Sequence, residues 1–283
     1  MKNVVFLLVC ALVALVRAAP NAAAPKDASE VSVVLRMTNP EYIVGERVRA
    51  EVELRNGSPT AVVVGATDST DHLLLELYRN DTRDQLSPNS DRPVTVPFVL
   101  QRGEAQRFEV FFDRHFVFAR EGRYMARAVL VHDGMRYEGA LRAFQIVPGI
   151  RISGALQRFA DRSELRREFE LVYWNRDRFE HLFLKVFDRG EEEVRWQTTD
   201  LGTLLRVTPP KLSIKDNGEV IVLHRASQDE FIRTDFWSLP DAFEFQTHDR
   251  MTDPDVAGSE RIKSLYQESS GVEPVKRAWW KFW

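Results

Sequence analysis

Six histidines, His72, His115, His132, His181, His224 and His248, are the side chains in this sequence best suited to proton transfer or metal binding near neutral pH. No two of them stand at the close spacing of a helical or strand metal motif, and the pattern H-E-x-x-H is absent. His132-Asp133 and His248-Asp249 are adjacent pairs. Neighbours on a strand project to opposite faces, so neither pair is expected to converge. His224 shares one side of a strand with Val220 and Val222 and reads as a core or boundary residue. The expectation is no metal, although the sequence leaves open a site assembled from distant positions.

Other chemistries find less support. Neither G-x-S-x-G nor S-x-x-K occurs where a strand would hand a nucleophile to a helix. No glycine-rich phosphate loop or dinucleotide fingerprint is present, so no cofactor is expected. Glu191-Glu192-Glu193 reads as a solvated turn, because an oxygen cage for a cation needs several spaced carboxylates. Asn56-Gly57-Ser58 and Asn80-Asp81-Thr82 match the glycosylation sequon, which has meaning only in a eukaryotic secretory route. No catalytic residue is nominated. A hydrolase with dispersed catalytic residues is the third-ranked reading.

Aromatic residues carry more information. Trp174 and Trp196 lie in strand patterns and are expected to pack on a sheet face, whereas Trp237 stands where a strand gives way to Ser238-Leu239-Pro240. The chain ends Lys276-Arg277-Ala278-Trp279-Trp280-Lys281-Phe282-Trp283. The candidate binding residues are therefore Lys276, Arg277, Trp279, Trp280, Lys281, Phe282 and Trp283. Aromatic anchors flanked by cations suit a groove on a protein partner or the interface of a membrane. The alternative is that they fold back on an apolar patch of the same chain, since uncovered aromatics invite aggregation.

The elements around these residues are strands. Val48, Ala50, Val52 and Leu54 alternate with Arg49, Glu51, Glu53 and Arg55, the period of a half-buried strand, and Asn56-Gly57-Ser58-Pro59 ends it. Further strands are expected at 31–37, 73–78, 108–112, 124–132 and 136–146, with Asp133-Gly134 as a hairpin turn. Pro148-Gly149 marks a boundary. Beyond it, 161–167 reads as a helical turn or charged loop, and strands are expected at 169–174, 182–188, 194–198, 211–214, 220–225 and 231–236. Asp216-Asn217-Gly218 is expected to form a type I′ turn.

Tyr42-Ile43-Val44-Gly45-Glu46, the Val48–Leu54 strand and Asn56 resemble immunoglobulin-like sandwich domains of secreted bacterial proteins. The resemblance covers residues 31–148 and implies a fold without functional residues. Leu182–Asp188, Trp196, Pro209-Pro210-Lys211-Leu212 and Asp216–Val220 look like a β-propeller-blade fragment, spanning 182–225. The fold class expected is all-β, with two β domains in tandem. The first is an immunoglobulin-like antiparallel sandwich at 31–148 and the second a smaller β-sheet domain at 149–252. Residues 253–283 form a linker and a flexible aromatic, basic tail.

The N-terminus carries an address. Lys2 precedes the apolar run Val4–Val16, and small residues follow, which is the pattern of a secretory signal peptide at 1–18 with a flexible lead-in at 19–30. The run is short for a membrane span, so a retained anchor is the lesser reading. The single cysteine, Cys10, lies within this run, so a cleaved chain has neither disulfides nor thiol chemistry. With 39 basic against 42 acidic residues the net charge is −3, and loss of Lys2 and Arg17 takes it to −5. Nucleic-acid binding is not expected from that balance. The expectation is an exported, non-enzymatic binding or assembly protein at the cell envelope or outside the cell, with periplasmic, surface and extracellular placement all open. Its partner is an unknown protein, an envelope surface or, through exposed aromatics, a glycan.

Overall fold

Period-two burial governs the computed structural model, which describes residues 31–65, 71–118, 120–189 and 194–252. Val48, Ala50, Val52 and Leu54 are fully buried, and the charged residues between them turn outward. The described chain is all-β. Its first strands are β1 (Ser32–Met37), β2 (Glu41–Ile43), β3 (Arg49–Arg55), β4 (Val62–Val64), β5 (His72–Arg79), β6 (Gln85–Leu86), β7 (Phe98–Leu100) and β8 (Ala105–Phe111). A single 3-10 turn at Phe112–Arg114 precedes β9 (Gly122–His132), β10 (Met135–Glu138) and β11 (Arg142–Val147). One sheet runs β1-β3-β8 and another β2-β11-β9-β5-β6, with β10 also on β9 and β4-β7 as a separate pair. Both sheets contribute to one apolar cluster that includes Leu35, Val52, Leu77, Leu130 and Phe144. Among the described strands every pairing is antiparallel except β2 with β11, where Glu41–Ile43 runs parallel to Gln145–Val147.

Turn chemistry follows the residues. Asp133 and Gly134 both have positive φ, 50° and 74°, so the β9–β10 hairpin closes in the expected primed turn. At Asp216-Asn217-Gly218 only Gly218 has positive φ, so this turn is not type I′. Gly218 N donates to Lys215 O and Lys215 N to Glu219 O, which is a type I turn closed by a glycine in the left-handed region. The expected strand at 136–146 is also interrupted: Glu138 faces Val129 and Arg142 faces Ala126, so an extra residue separates β10 from β11. Asn56 ends β3 buried. Its amide donates to Thr60 O and Leu100 O and its oxygen accepts from Ser58, which withdraws this sequon from any modifying enzyme.

The remaining strands are β12 (Ile150–Phe159), β13 (Arg162–Arg176), β14 (Phe179–Arg189), β15 (Val194–Thr203), β16 (Lys211–Ile214), β17 (Glu219–Arg225), β18 (Glu230–Leu239) and β19 (Ala242–Thr252). They form two four-stranded antiparallel meanders, β12-β13-β14-β15 and β16-β17-β18-β19, which share a cluster including Phe169, Leu184, Leu201, Val222 and Phe236. The propeller-like stretch 182–225 is thus divided between the two sheets, as β14 and β15 in one and β16 and β17 in the other. Residues 161–167 are neither helical turn nor loop but the turn and start of β13. Strand β18 runs on through Trp237, which is half-buried, to Leu239.

Alternation along β13 carries a charge inward. Arg167 lies in register with Phe169 and Leu171 on the core side, and its side chain is 2% exposed. Its Nε and Nη2 donate to Asp188 Oδ1 and Oδ2 at 2.5 and 2.7 Å. Nη1 lies 2.9 Å from each of Ser238 Oγ, Leu239 O and Ala242 O. The rings of Phe159 and Phe243 sit over the guanidinium. One side chain of the first meander thereby satisfies carbonyls at the β18–β19 turn of the second. Removing one member of a buried pair strands the other, so Asp188→Ala is expected to cost about 3 kcal/mol, read as a lower urea midpoint for unfolding.

Candidate functional site

The last strand departs from the pattern of its neighbour. Strand β18 alternates between buried and half-buried positions, whereas Glu244–Arg250 of β19 are exposed at seven consecutive positions. Among the described residues β19 pairs with β18 alone and stands at the edge of its sheet. The register shifts between Asp235 and Phe236, leaving Gln246 as an extra residue in a bulge. Phe245 stands edge-on to buried Phe236 at 5.9 Å but remains 55% exposed. His248 meets Thr234 Oγ1 at 3.0 Å, and Arg250 pairs with Glu230.

A second constellation joins the early strands to the later ones. Ile43, Val147, Val172 and Phe183 form a small buried cluster with Trp174 against it. Trp174 Nε1 donates to Glu41 Oε2 at 2.6 Å, so this tryptophan packs on a sheet face as expected. Thr198 donates through its amide to Gly45 O and through its hydroxyl to Val44 O. Arg176 bridges Glu46 and Asp200 at 2.8 Å each, and His181 Nδ1 lies 3.1 Å from both oxygens of Asp200. Burial pushes the Asp200 carboxyl up, but the hydrogen bonds from His181 and Gly202 N–H and the Arg176 charge outweigh it and hold it below the usual range. The partners of Arg176 and Trp174 on β2 and the following loop are 130 or more residues away in sequence. No local spacing announces them.

The third grouping is Asp71, His132 and Asp133. His72 of β5 faces Val131 of β9, so Asp71, one residue before β5, comes opposite His132. His132 Nδ1 lies 2.7 Å from Asp71 Oδ2, and Asp133 N donates to Asp71 Oδ1 at 3.2 Å. Asp133 Oδ2 lies 3.5 Å from His132 Nε2. The expectation that His132 and Asp133 diverge is therefore incorrect. Alternation holds within a strand, but Asp133 is already in the left-handed turn, which returns its carboxylate to the same side.

His224 is buried beside Val220 and Val222, as expected. Its Nε2 donates to Thr203 O at 3.2 Å. His115 is buried at a cleft of about 140 Å³ that also touches Arg92, Glu109 and Arg114. That is smaller than the pockets of about 300 Å³ and upward that enclose drug-sized ligands. The tail residues Lys276, Arg277, Trp279, Trp280, Lys281, Phe282 and Trp283, the run Glu191–Glu193 and the signal segment lie outside the described residues.

Two groups whose pKa folding lowers, a histidine and a carboxylate, both withdraw stability as the pH falls. Burial holds His224 neutral with a pKa lowered to about 4. As pH falls from about 6.5 to 4 the unfolded chain takes up a proton that the folded chain refuses, and stability drops by about 2 kcal/mol between pH 7 and 5. Asp200, depressed when folded, contributes fully above its ordinary value and loses that contribution as pH falls through the folded one. Urea unfolding of His224→Leu is expected to remove most of the pH 7-to-5 difference. Asp200→Asn is expected to flatten only the more acid part.

No protein-family model matches the chain, and no curated protein matches it. Among solved structures it is similar to the sporulation control protein Spo0M from Bacillus subtilis, with 10% identity over 84% of this chain and 97% of that one and a TM-score of 0.29.

Proposed function

We propose that this chain is an exported, non-enzymatic binding or assembly protein of the cell envelope or exterior. In this reading it consists of two β domains: an immunoglobulin-like spacer at 31–148 and a second β domain at 149–252. The partner docks on the second domain at β19 and on the aromatic tail that follows. The observation carrying the proposal is the seven-residue exposed run of β19, which has no strand on its outer side among the described residues and lies directly ahead of residues 253–283. An open edge of this length is a template for an added strand, which proteins otherwise shorten, twist or cover. A partner strand would gain backbone hydrogen bonds there, and aromatic anchors such as Trp279, Trp280, Phe282 and Trp283 would supply the apolar part of the contact.

The glycan reading has weaker support. Among the described side chains no tryptophan or tyrosine is exposed, and the Tyr78 and Tyr173 rings lie beneath Arg127 and Arg206.

Crosslinking capture from native envelope extract separates these readings. Three forms are compared: residues 19–283, a form ending at Gly258, and Gln246→Pro, placed in the bulge where an edge strand tolerates proline. Docking through edge and tail predicts one specific protein recovered by the full form, lost by the shortened form and depleted by the proline variant. Recovery by the shortened form at full yield removes the tail from the mechanism. Failure of all three to recover any protein makes binding to a glycan array the next measurement.

A further inference from the structure

The imidazole of His132 is 4% exposed, and one of its nitrogens has an assigned task. A carboxylate only accepts hydrogen bonds, so the 2.7 Å contact to Asp71 Oδ2 places a proton on Nδ1. Nε2 is buried and has no hydrogen-bond partner among the described residues. A buried ring nitrogen left unpaired is a cost that native structures rarely carry without a reason. The nearest candidate, Asp133 Oδ2, stands at 3.5 Å, beyond the range of a hydrogen bond to a protonated Nε2.

That separation has another meaning. Two ligands of one tetrahedral zinc, each roughly 2.0–2.1 Å from the ion, lie about 3.4 Å apart. The geometry points to a site for a single divalent cation of the zinc class, held by His132 Nε2 and Asp133 Oδ2 at the β9–β10 turn. Asp71 takes the orienting role: it fixes the histidine tautomer through Nδ1 and holds the turn through Asp133 N–H, as carboxylates behind metal-bound histidines do. One imidazole and one carboxylate suit zinc better than calcium or magnesium, which take oxygen shells. The side chain of Asp133 is 73% exposed, so the remaining coordination positions open toward solvent and take water or a donor from a bound molecule.

The test uses the full chain, stripped with chelator and titrated with zinc chloride, with calcium chloride as the control. Histidine ring nitrogens are followed by 15N NMR, and His132→Gln identifies the resonance. Asp133→Asn removes the ligand charge while keeping a residue that tolerates the left-handed turn, so the hairpin persists. Zinc is expected to move the His132 Nε2 resonance and raise the unfolding temperature, and Asp133→Asn is expected to weaken that binding about tenfold or more. An Nε2 resonance unmoved at millimolar zinc overturns the site. Zinc affinity at His132 unchanged in Asp133→Asn also overturns it.

Discussion

A guanidinium that stays charged at every accessible pH must be given acceptors wherever it is buried, and Arg167 imposes that demand on the second half of the molecule. Its position on the core face of β13 is dictated by strand alternation, so the chain cannot turn it outward without also exposing Phe169 and Leu171. The acceptors it finds come from three places: Asp188 on β14, Ser238 on β18 and the carbonyls of the β18–β19 turn. Ser238 Oγ in turn donates to Gln157 on β12. Apolar packing between two sheets leaves their relative slide only loosely determined. A planar fork with fixed donors does not, because a shift of an ångström would leave a carbonyl or a charge unpaired. The placement of β19 follows from this anchor at its first residue, Ala242.

The contacts around Trp174 and Arg176 do a similar job between early and late strands, with a different balance. The cluster of Ile43, Val147, Val172 and Phe183 is small, and the surrounding bonds are charge-assisted or directed at backbone carbonyls. Arg176 also lies over the ring of Phe183, so the same guanidinium caps the apolar cluster and pairs with Glu46 and Asp200. Specific orientation here comes from polar geometry more than from buried area.

Much of the architecture was legible because strands with one wet face write a two-residue period. Val48–Leu54 and the Asp133-Gly134 hairpin are clear cases. The period fails where a polar residue serves the interior: Arg162-Ser163-Glu164-Leu165-Arg166-Arg167 reads as surface in sequence, and only the distant acceptors explain why Arg167 is buried in β13. Strand β12 gives no such signal, since its inward positions include Ser153, Ala155 and Gln157, opposite Leu171, Phe169 and Arg167, rather than a row of large aliphatics. Of the candidate sites, the exposed run in β19 resembles any polar segment in sequence, and its status as an edge is a property of the sheet. Convergence of His132 with Asp133 depended on a single backbone dihedral at the turn. Asp71 came from about sixty residues earlier through the β5–β9 register.

The parallel pairing of β2 with β11 has a kinetic consequence. Glu41–Ile43 finds its partner at Gln145–Val147, so the sheet that contains β2 and β11 cannot be completed until about a hundred further residues have been made. Non-local pairings of this kind demand loop closure before any contact rewards it, and they place such chains among slow folders. During that interval β1, β3 and β8 are available as a three-stranded unit with unprotected flanks. The emerging polypeptide is therefore at its most aggregation-prone before β11 arrives, and a factor that shields β2 in that window would raise the yield of folded molecules without touching their final stability.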